Sequence, residues 1–197
     1  MSFEIIRDFE NSIAEFFGAP CAVAVDCCTH AIELCLRYEN VKTFSVPKRT
    51  YMSIPFLANK LGIDFEWRDE DWQSFYRLGE TRILDAAVLW GYNTYIPNTM
   101  MCLSFQYRKH LSLGRGGMIL LEDSAEAKEL KKMSYDGRLP DIPWREQNIN
   151  SYGYHYYMTP ETAELGLKKL PDAINTKPRK WSATDWPDLT EMEIFKR

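Results

Sequence analysis

The 197 residues carry 24 Lys and Arg against 28 Asp and Glu, a net charge of −4, with 45% hydrophobic and 14% aromatic residues. A negative chain of this kind has no general affinity for nucleic acid, no apolar run approaches the ~20 residues of a membrane helix, and the N-terminus lacks a secretory pattern, so a cytoplasmic protein is expected. Five cysteines without a Cys-x-x-Cys pair support neither a zinc site nor a disulfide framework; buried free thiols and no metal are expected.

Phe3, Ile6, Phe9, Ile13, Phe16 and Phe17 recur at helical spacing between charged positions, which predicts an amphipathic helix ended by Gly18. Cys21 to Val25 reads as a short buried strand. The turn from Asp26 to Thr29 feeds a second helix, about His30 to Tyr38, whose unpaired opening amides suit a phosphate. Thr43 to Val46 is a strand stopped by Pro47. Tyr51 to Leu61 is a helix closed by Gly62, with Pro55 in its first turn or at a kink. Ile63 to Trp67 is a strand, and residues 68–73 form an acidic loop. Thr81 to Leu84 is a strand delivering Asp85 at its carboxyl end, followed by a loop rich in Tyr and Asn over 91–98.

Residues 101–121 then run from an apolar strand through Ser104, a lysine between ring-bearing residues (Tyr107, Lys109, His110) and three close glycines into a second apolar strand. Gly114-Arg115-Gly116-Gly117 lacks the Gly-Lys-Ser/Thr ending of a nucleotide phosphate loop, so a β-turn is the plainer account. Asp123 and Glu126 cap a helix through Met133. Leu139 to Ile149 is a Pro-containing loop. Thr159 as N-cap and Pro160 at the first position start a last helix carrying Ala163, Leu165, Leu167 and Leu170. Residues 171–197 read as a mostly extended polar tail anchored by Trp181, Trp186 and Phe195, which leaves 1–170 as the domain.

Short apolar strands alternating with helices predict an α/β three-layer sandwich with a mostly parallel sheet. Ligands collect at the carboxyl ends of such strands, where the turn after Val25, Asp85 and the segment from Ser104 to Lys109 would converge.

Phe9 to Leu36, Val46 to Tyr51, Asp85-Ala86-Ala87, Ser104 to Gly117, and Gly153-Tyr154-His155-Tyr156-Tyr157-Met158-Thr159 running into Gly166-Leu167 resemble, in the same order, the DegT/DnrJ/EryC1/StrS sugar aminotransferases, a branch of the fold-type-I pyridoxal phosphate enzymes. Each motif alone is weak; the ordered set is specific and covers much of residues 9–170. The resemblance implies a reduced version of the fold-type-I large domain with pyridoxal 5'-phosphate as cofactor. It implies that Lys109 holds the cofactor covalently and that Ser104 binds its phosphate, with Thr29 and the amides around Cys28. Asp85 would pair with the pyridine nitrogen and Tyr51 would stack on the ring. His155 falls where an asparagine usually reaches the phosphate from the neighbouring subunit. The implied substrates are an amino donor and a keto-sugar, probably nucleotide-linked in this family, handled by a homodimer with a shared active site.

General chemistry agrees with these roles. A buried lysine has a lowered pKa and becomes a competent amine nucleophile and proton shuttle. A carboxylate against the pyridine nitrogen keeps it protonated. The sequence also departs from the family pattern. Cys27-Cys28-Thr29 replaces Ser-Gly-Thr, Val88 stands where a polar residue is usual, and Tyr157 replaces an arginine. Family members carry additional sheet before the aspartate and a further domain after the Gly166-Leu167 helix, whereas 27 residues follow Leu170 here. A shortened member is therefore expected, with substrate contacts absent or supplied by another chain. Two other readings stay open on the residues alone: a non-catalytic homologue that keeps the fold for binding or assembly, and a small-ligand module using the cleft without the cofactor. Plainer roles also exist for Asp85 (a strand-end turn), Tyr51 (core packing) and His155 (a surface or interface histidine).

Overall fold

The computed structural model describes residues 3–196. Helix α1 (Glu4–Phe17) turns Ile6, Phe9, Ile13 and Phe17 to one buried stripe and is closed by Gly18. Strand β1 (Cys21–Val25) leads into α2 (Cys28–Tyr38), which starts two residues earlier than the periodicity predicts, so Thr29 lies in its first turn. Strands β2 (Thr43–Pro47) and β3 (Asp64–Arg68) flank α3 (Ser53–Leu61) and pair in parallel as a separate two-stranded sheet. Then come β4 (Tyr76–Arg77), β5 (Ile83–Asp85), β6 (Met100–Ser104), β7 (Gly117–Leu121), α4 (Ser124–Ser134) and α5 (Pro160–Asn175).

The main sheet has the order β1-β7-β6-β5-β4. Alternation along β1 sends Val23 and Val25 to one face and Ala24 to the other. On the first face they meet α2, α3 and Leu130 of α4; on the second, α1 and α5 pack with Leu84, Met101, Leu103, Met118 and Leu120. The three layers are therefore present, with an apolar core on each side of the sheet. Fully buried Phe9, Phe17 and Ile13 each contribute roughly 1.5–3 kcal/mol of apolar transfer.

The expectation of a mostly parallel sheet needs correction. β5 and β6 pair in parallel, but β1–β7, β6–β7 and β4–β5 are antiparallel. For the consecutive antiparallel pairs the cause lies in how each connection closes. A parallel pair needs a crossover, whereas β6 returns to β7 through a ladder-closed loop and β4 to β5 through a tight turn at residues 78–82. Strand β4, two residues long, was not foreseen at all.

The tail expectation is also corrected at its start. Helix α5 continues past Pro171 to Asn175. Proline removes one helical donor, but Leu170 and Ala173 are buried beside it and packing outweighs the lost bond. Beyond it the chain makes short 3-10 turns at Ala183–Asp185, Leu189–Glu191 and Glu193–Phe195. Trp181 and Trp186 pack back on the domain, and Phe195 stacks on Phe56 with ring centres 5.6 Å apart. Among the described residues no helix is long and apolar enough to cross a membrane.

Candidate active site

Strand β5 ends on Asp85, whose side chain is buried. Its Oδ2 accepts a hydrogen bond from the Tyr76 hydroxyl at 2.7 Å, and its Oδ1 accepts one from the Ala87 N–H at 3.0 Å. Tyr76 stands directly opposite Asp85 in the β4–β5 register, and its hydroxyl also meets Thr50 Oγ1 at 2.5 Å. Burial pushes the Asp85 carboxyl above the usual range; the bonds from Tyr76 and Ala87 and the charge of Lys109 oppose that push.

Lys109 sits in the β6–β7 loop, which is ordered by its own backbone. Phe105 N–H donates to Gly116 O, Tyr107 N–H to Gly114 O and Lys109 N–H to Gln106 O, at 2.8–3.1 Å. Gly114 has φ +81°, a left-handed conformation that a side chain would strain, so the turn requires glycine there. The Lys109 amine lies under two indoles, 5.6 Å from the ring centre of Trp181 and 5.7 Å from that of Trp186. Burial lowers its pKa, and the nearby Asp85 carboxylate pulls the other way without cancelling the effect. Asp85 and Lys109 thus both lean toward their neutral forms, as two groups taken out of water together should. Beside them a cleft of about 590 Å³ is lined by Ser104, Val88, Arg108, Lys109, Arg179 and Trp181, among others.

The remaining sequence candidates fall at graded distances from this pair. Ser104 closes β6 opposite Gly117, faces the cleft, and its Oγ accepts from the Gln106 N–H at 3.4 Å. Cys28 is buried, and its thiol donates to Cys102 O at 3.4 Å. Burial and the Asp85 charge push that thiol upward while Lys109 pulls it down, so it lies within electrostatic reach of both. The side chain at the expected glycine position therefore turns into the core. Thr29 Oγ1 donates to Ser53 Oγ at 3.0 Å. Tyr51 is 55% exposed and meets Trp186 edge-on at 6.0 Å, which places it at the rim. His155 is not brought into the group. Its side chain is 71% exposed, hydrogen-bonds Asp136 at 3.0 Å, and does not line the cleft.

Sequence reasoning missed Tyr76 and Thr50 behind Asp85, and Trp181 and Trp186 over Lys109. The indole N–H of Trp186 is buried with no acceptor among the described residues, and an unmet donor of this kind costs about 1–3 kcal/mol. It also missed the ion pair at the mouth of α2, where His30 Nδ1 meets Asp26 at 2.6 Å and Arg115 donates to Asp26 at 2.7 Å. Burial alone would lower the His30 imidazolium, but hydrogen bonds to Asp26 and Cys27 and their charges lift it to about 9. Asp26, Cys27 and His30 offer donor atoms within 4.8 Å of one another, yet that pairing with His30 and Arg115 already engages the carboxylate.

The sequence pattern of the DegT/DnrJ/EryC1/StrS aminotransferase family matches residues 2–71 and 97–185, well over half of the chain. The chain belongs to this family. Within it, the spore coat polysaccharide biosynthesis protein SpsC of Bacillus subtilis (strain 168) is 25% identical over an alignment covering 84% of this chain and 56% of SpsC. AtS13 from Actinomadura melliaura superposes with a TM-score of 0.76 at 20% identity, over 87% of this chain and 61% of AtS13. Spr1654 from Streptococcus pneumoniae, in its PLP-form, gives a TM-score of 0.71 at 17% identity, over 86% of this chain and 59% of Spr1654. These structures share the fold. The chain spans a little over half the length of the relatives it matches, and residues 72–96, which carry Tyr76 and Asp85, lie outside the family match.

Proposed function

We propose that this chain carries the cofactor site of a pyridoxal-phosphate-dependent aminotransferase that moves an amino group from an amino acid to a keto-sugar, in nucleotide-linked form. The observation that carries the reading is the desolvated Lys109 amine beside the buried Asp85 carboxylate at an open cleft. The residues fit the cofactor. An amine with a lowered pKa is the nucleophile that a carbonyl group needs. A buried carboxylate suits a cationic partner, and Ser104 and Trp181 face the cleft together with Lys109.

When bound, pyridoxal phosphate supplies an electron-withdrawing ring. The chain supplies the rest. Lys109 holds the cofactor covalently and, once released, moves a proton at the substrate α-carbon. Asp85 would pair with the pyridine nitrogen, and a cation there would draw its carboxyl back toward the ionised form. Ser104, Thr29 and the opening amides of α2 around Cys28 bind the phosphate, where the helix end favours an anion. Tyr51 borders the ring. His155, standing away from its own cleft, serves the site of a neighbouring copy in a homodimer. Five free thiols suit a reducing cytoplasm.

The test is to incubate the purified chain with pyridoxal 5'-phosphate, reduce with borohydride and map the adduct by mass spectrometry. Wild type is expected to be labelled at Lys109 and Lys109→Ala to remain unlabelled. Absence of a Lys109 adduct in wild type sinks the reading. Transfer of nitrogen from labelled glutamate to a nucleotide-linked keto-sugar then separates an enzyme from a homologue that only binds.

A further inference from the structure

The tail beyond α5 closes over the single amine on which the site is built, and it does so with two tryptophans. Their rings lie 28° from parallel with centres 6.1 Å apart, each within 6 Å of Lys109 Nζ. Main-chain ties fix the segment: Ser74 N–H donates to Trp181 O at 3.0 Å, Ala183 N–H to Trp72 O at 2.9 Å, and Leu189 N–H to Lys48 O at 2.8 Å. Arg179 also lies over Trp181, its guanidinium carbon 3.8 Å from the ring centre and its head paired with Asp185.

We propose that Trp181, which lines the cleft, and its neighbour Trp186 form the wall against which a flat group joined to Lys109 lies. The inference rests on the pyridoxal phosphate reading of Lys109. Any carbonyl compound joined to Nζ begins at an atom less than 6 Å from both ring centres. Aromatic rings pair favourably at centre separations of roughly 4.5–7 Å, so a pyridine ring extending from that atom falls in range. Protonated at its nitrogen beside Asp85, such a ring is cationic and is drawn to indole faces as the ammonium is. Tyr51, more than half exposed, meets Trp186 edge-on at the rim of this wall.

The experiment titrates the full chain with pyridoxal 5'-phosphate, following tryptophan fluorescence together with the trapped Lys109 adduct. Trp186→Phe keeps a ring and removes the donor; the double variant Trp181→Leu/Trp186→Leu removes the wall; Trp144→Phe, on an exposed turn, is the control. Binding should quench wild-type fluorescence, and the quench should shrink in the double variant. The dissociation constant should rise about tenfold in the double variant and by a smaller factor in Trp186→Phe, with the control unchanged. Should the leucine pair fail to fold by circular dichroism, Trp181→Phe and Trp186→Phe decide. A wild type that forms the adduct while every variant binds within about twofold of it overturns this inference alone. A wild type that forms no Lys109 adduct overturns the cofactor reading and this inference with it.

Discussion

Tyr76→Phe removes the hydroxyl that donates to Asp85 at 2.7 Å and leaves a buried carboxylate with one bond fewer. Urea unfolding should show a loss of about 1–3 kcal/mol, and because that bond holds the Asp85 pKa down, cofactor affinity should reach its half-maximum at a higher pH. His30 gives a second, independent titration. Its folded value is about 9 against 6.5, so its contribution is fully present below pH 6.5 and is lost as pH rises through about 9. Urea midpoints should fall across that window in wild type, and His30→Gln should flatten the fall. At this scale the strand-end positions of Asp85 and Ser104 were legible because each closes an apolar run, while Lys109 was singled out by the family resemblance of its loop. Their helpers were not. Tyr76 lies on a two-residue strand too short to show alternation, and Trp181 and Trp186 lie in a segment whose polarity reads as tail.

Individual elements show why the periodicities were readable and their pairing was not. The stripe of α1 and the cap Asp123, which accepts from the N–H groups of Ala125 and Glu126, are local and appear in the sequence directly. Strand direction is set by what closes each connection, and the β6–β7 ladder depends on Gly114 and on backbone bonds that no residue pattern announces. Gly117 shows how tightly one element is seated on another. A Cβ there would lie 2.5 Å from the Cys27 carbonyl carbon and 2.6 Å from the Cys28 nitrogen, both backbone atoms that cannot swing away. Gly117→Ala should therefore push the start of α2 from β7 and destabilise the chain by about 1–3 kcal/mol in urea. If the α2 opening binds phosphate, the same variant should hold pyridoxal phosphate more weakly while its Lys109 still forms the adduct at high cofactor concentration. A stability equal to wild type would mean the strand–helix seat is looser than the structure has it.

At the scale of the whole molecule, the site draws on both cores and on the tail, yet one candidate stands outside it. His155 pairs with Asp136, while the next residue of this extended segment, Tyr156, stacks on His30 at 3.6 Å and faces α2 instead. This alternation sends His155 outward, away from the cleft of its own chain. The residues alone leave His155 as any exposed histidine; a role in the site of a neighbouring copy comes only from the family resemblance. A shared site makes a definite prediction. Lys109→Ala should lack amino transfer, and His155→Ala should bind the cofactor weakly and transfer slowly. Co-expressed, the two variants form mixed dimers in which one site has an intact Lys109 from one copy and an intact His155 from the other, so activity should exceed that of either variant alone. Dilution that drives the wild type to monomer by analytical ultracentrifugation should lower transfer in parallel. Mixtures no more active than the sum of their parts, or a wild type fully active as a monomer, would confine His155 to its bond with Asp136.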